Sequence, residues 1–136
     1  DSDGYVSSDI NIGLGMYVGG GFSLSPFVTM AEAYKVAKLR GRVLDPLRLI
    51  YWHTLGGAKA LHQDDYIGSL EAGKYADFCL IDITSDEVGF EMWERAGTVQ
   101  EKLFSLMFSM PDSKNGVVAT FTAGILRWKD EIQSGL

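Results

Sequence analysis

A glycine-rich stretch near the start of the chain has residue types that suit the edge of an active site. Residues 11–21 read NIGLGMYVGGG, an apolar run followed by Gly19, Gly20 and Gly21. This pattern predicts a strand that ends in an irregular turn, because consecutive glycines carry a large entropic cost inside a regular element. Tyr17 stands where a side chain that handles a metal ion or a proton would be expected. A tight turn that binds no ligand is the alternative that the pattern leaves open.

These glycines do not complete a phosphate-binding motif. Gly13 and Gly15 begin a dinucleotide fingerprint, but Val18 occupies the position of its third glycine. A P-loop requires Gly-Lys-Ser or Gly-Lys-Thr, whereas residues 20–22 are Gly-Gly-Phe. The sequence therefore argues against a nucleotide phosphate as the ligand of this loop.

Histidine and cysteine are too sparse to predict a zinc site. The two histidines, His53 and His62, are nine residues apart in the sequence, whereas two imidazoles on one helix face are four apart. Cys79 has no partner thiol, and no Gly-x-Ser-x-Gly elbow is present. We expect His53 to be a packed or half-exposed residue of an apolar helix. The residues alone therefore predict no intact metal site and no complete active site.

The first half of the chain has the start signals of three helices. Ser25 is a predicted N-cap, with Pro26 at the first helical position. Asp45 repeats the signal for a second helix, and Thr54 is predicted to cap a short third one. The glycine pair at 56–57 costs helix propensity, so we expect another backbone to come close there.

The second half reads as strands with one helix between them. Residues 66–83 predict two short strands about a turn at Ala72–Gly73. A Thr-x-x-Glu capping box predicts a helix over residues 98–110. Residues 117–129 predict a hairpin that turns at Ala123–Gly124.

The order of these elements suggests a particular fold class. A strand over residues 10–14 is followed by helices and then by strands with one inserted helix. Such an order suits the tail of an α/β barrel joined to a small β domain. We therefore predict a division into residues 1–65, with the last barrel strand and outer helices, and residues 66–136, with the β strands and the helix at 98–110.

Composition and charge exclude several classes of partner. The 136 residues are 46% hydrophobic and 22% charged, with a net charge of −6. No cluster of lysines and arginines is present to neutralise phosphates, so nucleic-acid binding is not expected. No apolar run approaches the roughly 20 residues that span a bilayer. One cysteine fits a reducing compartment, so we expect a cytoplasmic protein. The first nine residues have a loop-like composition and no initiating methionine, as expected if the sequence begins within a longer protein.

Several stretches together resemble one enzyme family. GLGMYVGGGFSLS, TMAEAYKVAKLRGR, LDPLRLIYWHTLGGAKAL and DDYIGSLEAGKYADFCLID are similar, in order and in register, to the C-terminal third of bacterial guanine deaminases. EKLFSLMF and ATFTAGILRW extend the match, which covers nearly the whole chain from about residue 10. Guanine deaminases belong to the amidohydrolase superfamily.

This resemblance implies a fold, a reaction and a cofactor. The family is a metal-dependent hydrolase with a (β/α)₈ barrel and a small β-sandwich, and it hydrolyses guanine to xanthine and ammonia with water activated by one zinc ion. Residues 10–15 would then be the last barrel strand, whose carboxyl end carries chemistry in such barrels.

The departures from the family concern the same loop. The family has Thr-Asp after Gly-Leu-Gly, where this chain has Met16-Tyr17, and that aspartate binds zinc and relays protons. A carboxylate suits both tasks, whereas a phenol is neutral at pH 7 and is a poor metal ligand. Phe22 also adds bulk where the family has a small polar residue. The remaining zinc ligands and guanine contacts of the family lie upstream. We therefore expect that this chain alone binds no zinc and is inactive, with Gly19, Gly20 and Gly21 shaping the pocket lip.

Two other interpretations stay open. The chain is either a non-catalytic amidohydrolase fragment that serves as an assembly or interaction module, or part of another aminopurine or triazine deaminase. Whether it acts as an enzyme is left open by the residues. The expected partners are a purine base and, for completion of the barrel, a complementary chain or a second copy.

Overall fold

The structure, a computed structural model, describes residues 10–17, 19–21, 23–109 and 116–130. Among these residues it contains helices and a three-stranded sheet, so both element types of the predicted α/β class are present. In chain order the elements are α1 (Pro26–Leu39), α2 (Pro46–His53), α3 (Leu55–Ala60), β1 (Phe78–Ile81), α4 (Glu87–Arg95), α5 (Val99–Ser109), β2 (Val117–Thr122) and β3 (Ile125–Lys129).

The predicted helix starts are largely confirmed, but not all of the predicted caps. Asp45 Oδ1 accepts a hydrogen bond from the Leu47 N–H at 2.8 Å, as a capping aspartate should. Ser25 occupies the N-cap of α1, but its side chain makes no capping bond. The side chain of Thr54 also fails to cap α3, because its hydroxyl donates to the Ile50 carbonyl at 2.8 Å. The predicted third helix, α3, is therefore present, but Thr54 does not cap it as predicted.

The strand predicted over residues 10–14 is wrong. Residues 10–17 form no regular element, and a strand requires a ladder of bonds to a neighbouring strand. The segment lies instead against helices, where the Leu14 N–H donates to the Trp52 carbonyl at 2.9 Å. Exposed and half-buried residues still alternate from 11 to 17, so the side chains keep a strand-like period of two.

The two strands predicted within residues 66–83 reduce to one, β1. Residues 66–77 are turns and bends, closed by a 2.8 Å hydrogen bond from the Tyr75 N–H to the Tyr66 carbonyl. Tyr66, Leu70 and Tyr75 are all more than half exposed, and a strand gains little stability when no face is buried. The predicted glycine turn is confirmed, since Gly73 has φ of +97°.

The sheet is antiparallel with strand order β1-β2-β3. Its hairpin turns where the sequence predicts, with φ of 51° at Ala123 and 75° at Gly124. Two successive positive φ values are typical of the tight turns that match the twist of a hairpin. Asp77 Oδ1 accepts the Ala123 N–H at 2.7 Å, so the segment before β1 holds this turn.

Helix α5 forms the core by packing on α1 and α2. Met30, Leu49 and Met107 are almost completely buried there. The predicted capping box is confirmed, because the Thr98 hydroxyl accepts the Glu101 N–H at 3.2 Å and a Glu101 oxygen accepts the Thr98 N–H at 3.0 Å. The helix predicted over 98–110 is therefore α5, with residue 110 outside the described residues, as are residues 1–9 and Phe22.

Helix α4 is not predicted by the sequence patterns above. It begins after Asp86, whose carboxylate accepts the Gly89 N–H at 2.7 Å. None of the helices in the described residues is long and apolar enough to cross a bilayer.

Candidate functional site

A pocket of about 260 Å³ lies between the glycine-rich segment and the first turns of α1. Its lining combines apolar side chains with hydroxyl groups and one carboxylate. The lining residues are Gly15, Met16, Tyr17, Gly20, Gly21, Ser23, Val28, Thr29 and Glu32. The structure thus brings three of the four predicted site residues, Tyr17, Gly20 and Gly21, to one pocket, and Gly19 lies beside it without lining it.

Close backbone approach fixes the segment that carries Tyr17. A Cβ added to Gly13 would lie 2.8 Å from Gly57 Cα, and a Cβ on Gly56 would lie 3.1 Å from the Ile12 carbonyl oxygen. Both distances are shorter than ordinary contacts between carbon or oxygen and a methyl group. The expectation that the glycine pair at 56–57 admits another backbone is confirmed, and that backbone belongs to the segment that leads to the pocket.

Tyr17 folds back over its own loop. The Gly21 N–H donates to the Tyr17 carbonyl at 3.2 Å, which closes a turn over residues 17–21. Gly19 within this turn has φ of +101°, a conformation that favours glycine. A Cβ on Gly20 would overlap the Tyr17 phenol, so the ring can occupy its position only because residue 20 is glycine. Tyr17 remains 68% exposed and forms the rim of the pocket.

Glu32 is the one charged residue in the lining. The sequence places it mid-helix, away from the position of the acidic residue in a dinucleotide fingerprint, and gives it no role in a site. It lies on α1, one turn after Val28 and Thr29, so the three side chains share a helix face. Its Oε1 contacts Lys35 Nζ at 2.7 Å, an exposed ion pair. A signal was available, since a helix that follows a glycine loop presents one face to that loop. The spacing of residues 28, 29 and 32 marks that face.

His53 lies at the end of α2, beside the same segment. It is half-buried, as predicted, and its Nδ1 is buried without a hydrogen-bond partner. Burial lowers the pKa of His53 below its ordinary value, and the nearby Leu14 backbone opposes that effect. The imidazole is therefore expected to be neutral near pH 7 and to support the segment rather than to bind a ligand.

The lowered pKa of His53 predicts a loss of stability in mild acid. Below about pH 6.5 the unfolded chain binds a proton at this histidine while the folded chain does not. The free energy of unfolding should then fall as the pH drops from about 6.5 until the folded imidazole is itself protonated. We expect the substitution His53→Gln to remove this part of the pH dependence in denaturant titrations between pH 7.5 and 5. Equal slopes for wild type and His53→Gln would contradict the prediction.

The described residues do not fit a zinc site. They contain no group of three or more His, Cys, Asp or Glu side chains that could hold a metal ion. The pocket offers Glu32 and the Tyr17 phenol, whereas catalytic zinc sites use three protein ligands, chiefly histidine nitrogens and carboxylate oxygens. We therefore assign no metal-dependent step to the described residues.

Comparison with known proteins identifies the family. The sequence profile of the amidohydrolase family matches residues 3–125. The chain belongs to the amidohydrolase family. This amidohydrolase chain is 33% identical over 117 residues to the guanine deaminase of Escherichia coli, a match that covers 86% of the chain and 26% of that relative. Human guanine deaminase is 28% identical over 118 residues, covering 81% and 26% respectively.

Solved structures give the same result for the amidohydrolase fold. The Escherichia coli guanine deaminase structure matches with a TM-score of 0.82 at 32% identity, over 90% of this chain and 28% of that one. The guanine deaminase of Bradyrhizobium japonicum matches with a TM-score of 0.74 at 26% identity, over 90% and 32%. The chain thus resembles about a quarter of the length of the relatives it matches. The family is a metal-dependent hydrolase family of the TIM-barrel type.

Proposed function

We propose that the chain is a segment of an enzyme that hydrolyses guanine to xanthine and ammonia. In this reaction a water oxygen bonds to the ring carbon that carries the amino group, and the amino group leaves as ammonia. The observation that carries the proposal is the match to Escherichia coli guanine deaminase, at 33% identity in sequence and a TM-score of 0.82 in structure. Both matches cover most of this chain and about a quarter of that enzyme.

In this proposal the chain supplies the last part of a larger barrel and the strands of a small β-sandwich. Residues 1–65 would form the barrel part and residues 66–136 the sandwich part. The match of the amidohydrolase family to residues 3–125 and the structural match to Escherichia coli guanine deaminase support this assignment. The purine base would be the substrate. Zinc would be held by residues outside this chain. This chain alone would be inactive.

A non-catalytic interaction module is a second candidate, and the sheet edge favours it. All five residues of β3 are exposed, including Ile125, Leu126 and Trp128 at 54%, 49% and 47%. An exposed edge strand with apolar side chains can pair with another chain. A complementary chain or a second copy would be the partner of that edge.

Another deaminase of the same superfamily is a third candidate, with less support. The zinc-containing structure of an adenosine deaminase from Xanthomonas campestris matches with a TM-score of 0.62 at 26% identity. The guanine deaminase of Escherichia coli matches better on both measures. This difference favours guanine over adenosine as the substrate of the whole protein.

A segment exchange tests these candidates. Residues 10–130 replace the matching segment of Escherichia coli guanine deaminase, with Tyr17→Asp to restore a carboxylate, and ammonia release is measured with guanine, adenine and adenosine. We expect the chimera to release ammonia from guanine, because the segment then completes a guanine deaminase barrel. A folded chimera that is inactive on all three compounds would favour the interaction module. The 136-residue chain alone is the control and should yield no xanthine.

A further inference from the structure

The backbone that leads to residue 17 is anchored where α2 meets α3, at residues 52–57, which we call the seat. The Leu14 N–H donates to the Trp52 carbonyl at 2.9 Å, three residues before Tyr17. Ile12 and Leu14 are half-buried and pack against the core cluster. On the other side of residue 17, the Gly21 N–H donates to the Tyr17 carbonyl at 3.2 Å. The backbone at residue 17 is therefore held from both directions.

Two glycines make a close contact between this segment and the seat. A Cβ on Gly13 would lie 2.8 Å from Gly57 Cα, a backbone atom that cannot rotate away. A Cβ on Gly57 would lie 3.2 Å from the Trp52 carbonyl oxygen, the atom that accepts the Leu14 N–H. Neither Gly13 nor Gly57 has a positive φ. Both positions therefore require glycine for its small size and not for an unusual backbone conformation.

The position of residue 17 depends on this contact. Unstrained carbon–carbon contacts are about 3.5–4.0 Å long, so a methyl group added at Gly13 must separate the two backbones by about 1 Å. Such a shift moves the neighbouring Leu14 amide and with it the connection to residue 17. A misplacement of about 1 Å at a reacting group can cost roughly 100-fold in rate.

We propose that Gly13 and Gly57 are positioning residues for the side chain at position 17. Their contact sets the distance between the segment and the seat, and the hydrogen bond from Leu14 to Trp52 fixes the segment along the seat. Gly13 and Gly57 are not among the residues that line the pocket beside Tyr17, so they act through the backbone and not on a ligand. This inference rests on the proposed function, because position 17 takes part in a reaction only if the whole protein is the proposed hydrolase.

Turnover of guanine by the exchange chimera that carries Tyr17→Asp tests the proposal. We expect Gly13→Ala to lower kcat about 10-fold or more and to leave KM within about 2-fold, because only the reacting group is misplaced. Gly57→Ala should lower kcat by a smaller factor, since its closest contact is longer, at 3.2 Å. Gly97→Ala is the matched control. The nearest atom lies 3.6 Å from its added Cβ, so both constants should stay unchanged.

Two kinetic results would overturn the proposal. The first is an equal kcat for the Gly13→Ala and Gly97→Ala chimeras. The second is a rise in KM as large as the fall in kcat, because the substitution would then disturb the binding of substrate and not the position of residue 17.

Hydrogen exchange of the Leu14 amide in the 136-residue chain measures the seat without turnover. This amide should exchange slowly in the unmodified chain, because its N–H is bonded to the Trp52 carbonyl. Gly13→Ala should speed its exchange several-fold, whereas Gly97→Ala should not. Equal exchange in the two variants would overturn the inference alone. Protected exchange in the unmodified chain, together with no turnover of guanine by any chimera, would contradict the proposed function alone.

Discussion

Xanthine production is expected to be about 100-fold or more faster in the exchange chimera with Tyr17→Asp than in the same chimera that keeps Tyr17. A positioned carboxylate that accepts and returns a proton contributes roughly 10²–10⁴-fold to a hydrolytic step. A phenol is neutral at pH 7 and cannot accept a proton in the same way. The measurement is the rate of guanine depletion by purified chimeras that carry tyrosine or aspartate at position 17.

The control for this substitution is Tyr17→Asn in the same chimera. Asparagine has nearly the shape of aspartate but no negative charge, so it separates the removal of the tyrosine ring from the gain of a carboxylate. We expect the asparagine chimera to remain as slow as the tyrosine chimera. Equal rates for aspartate and tyrosine would mean that position 17 has no part in the proton transfers. A rise with asparagine would show that the ring only obstructs the site.

The substitution Leu49→Ala is expected to lower the free energy of unfolding by about 2–5 kcal/mol, the usual cost of truncating a buried leucine. Leu49 has no exposed surface and lies in the core with Met30 and Met107. Loss of its side chain leaves a cavity where α2 meets α5. Chemical denaturation of the 136-residue chain, followed by circular dichroism, measures the change.

Leu39→Ala is the matched control for the core substitution. Leu39 is 88% exposed at the end of α1, so the same change should alter the free energy of unfolding by about 0.5 kcal/mol or less. Similar losses for the two variants would contradict the assignment of the core. A loss confined to Leu49→Ala would show that α1, α2 and α5 are packed as described even in the isolated chain.

Local signals of the sequence predicted those elements whose ends are fixed by nearby residues. Asp45, the box of Thr98 and Glu101, and the turn at Ala123–Gly124 each act through hydrogen bonds or backbone angles within a few residues. Such short-range causes are visible in a single sequence. The starts of α2 and α5 and the hairpin were therefore predicted correctly, whereas α4 was missed although Asp86 caps it in the same local way.

Elements that depend on distant neighbours were predicted less well. An apolar run at residues 10–14 has the pattern of a strand, but a strand exists only where another strand lies beside it. The strand predicted within residues 66–77 does not form for a similar reason, since Tyr66 and Tyr75 remain exposed and no face of the segment is buried. In both cases the sequence pattern favours a strand, but the residues packed around the segment do not support one.

The site was predicted in part for the same reasons. The sequence marked Tyr17 and the three glycines, because their types are unusual for a regular element. It gave no indication that the Tyr17 ring would rest on Gly20, or that Glu32 would face the same pocket. Those relations arise from the turn at residues 17–21 and from the placement of α1. The catalytic role of residue 17 remains a prediction.

The contact between the Tyr17 ring and Gly20 couples the substitutions that positions 17 and 20 can accept during evolution. While residue 17 is tyrosine, any larger residue at 20 must displace the far end of the exposed Tyr17 side chain. A smaller residue at 17 removes the restriction and makes position 20 free to vary. The effect of a mutation at 20 thus depends on which residue is already present at 17, and the two positions are expected to vary together.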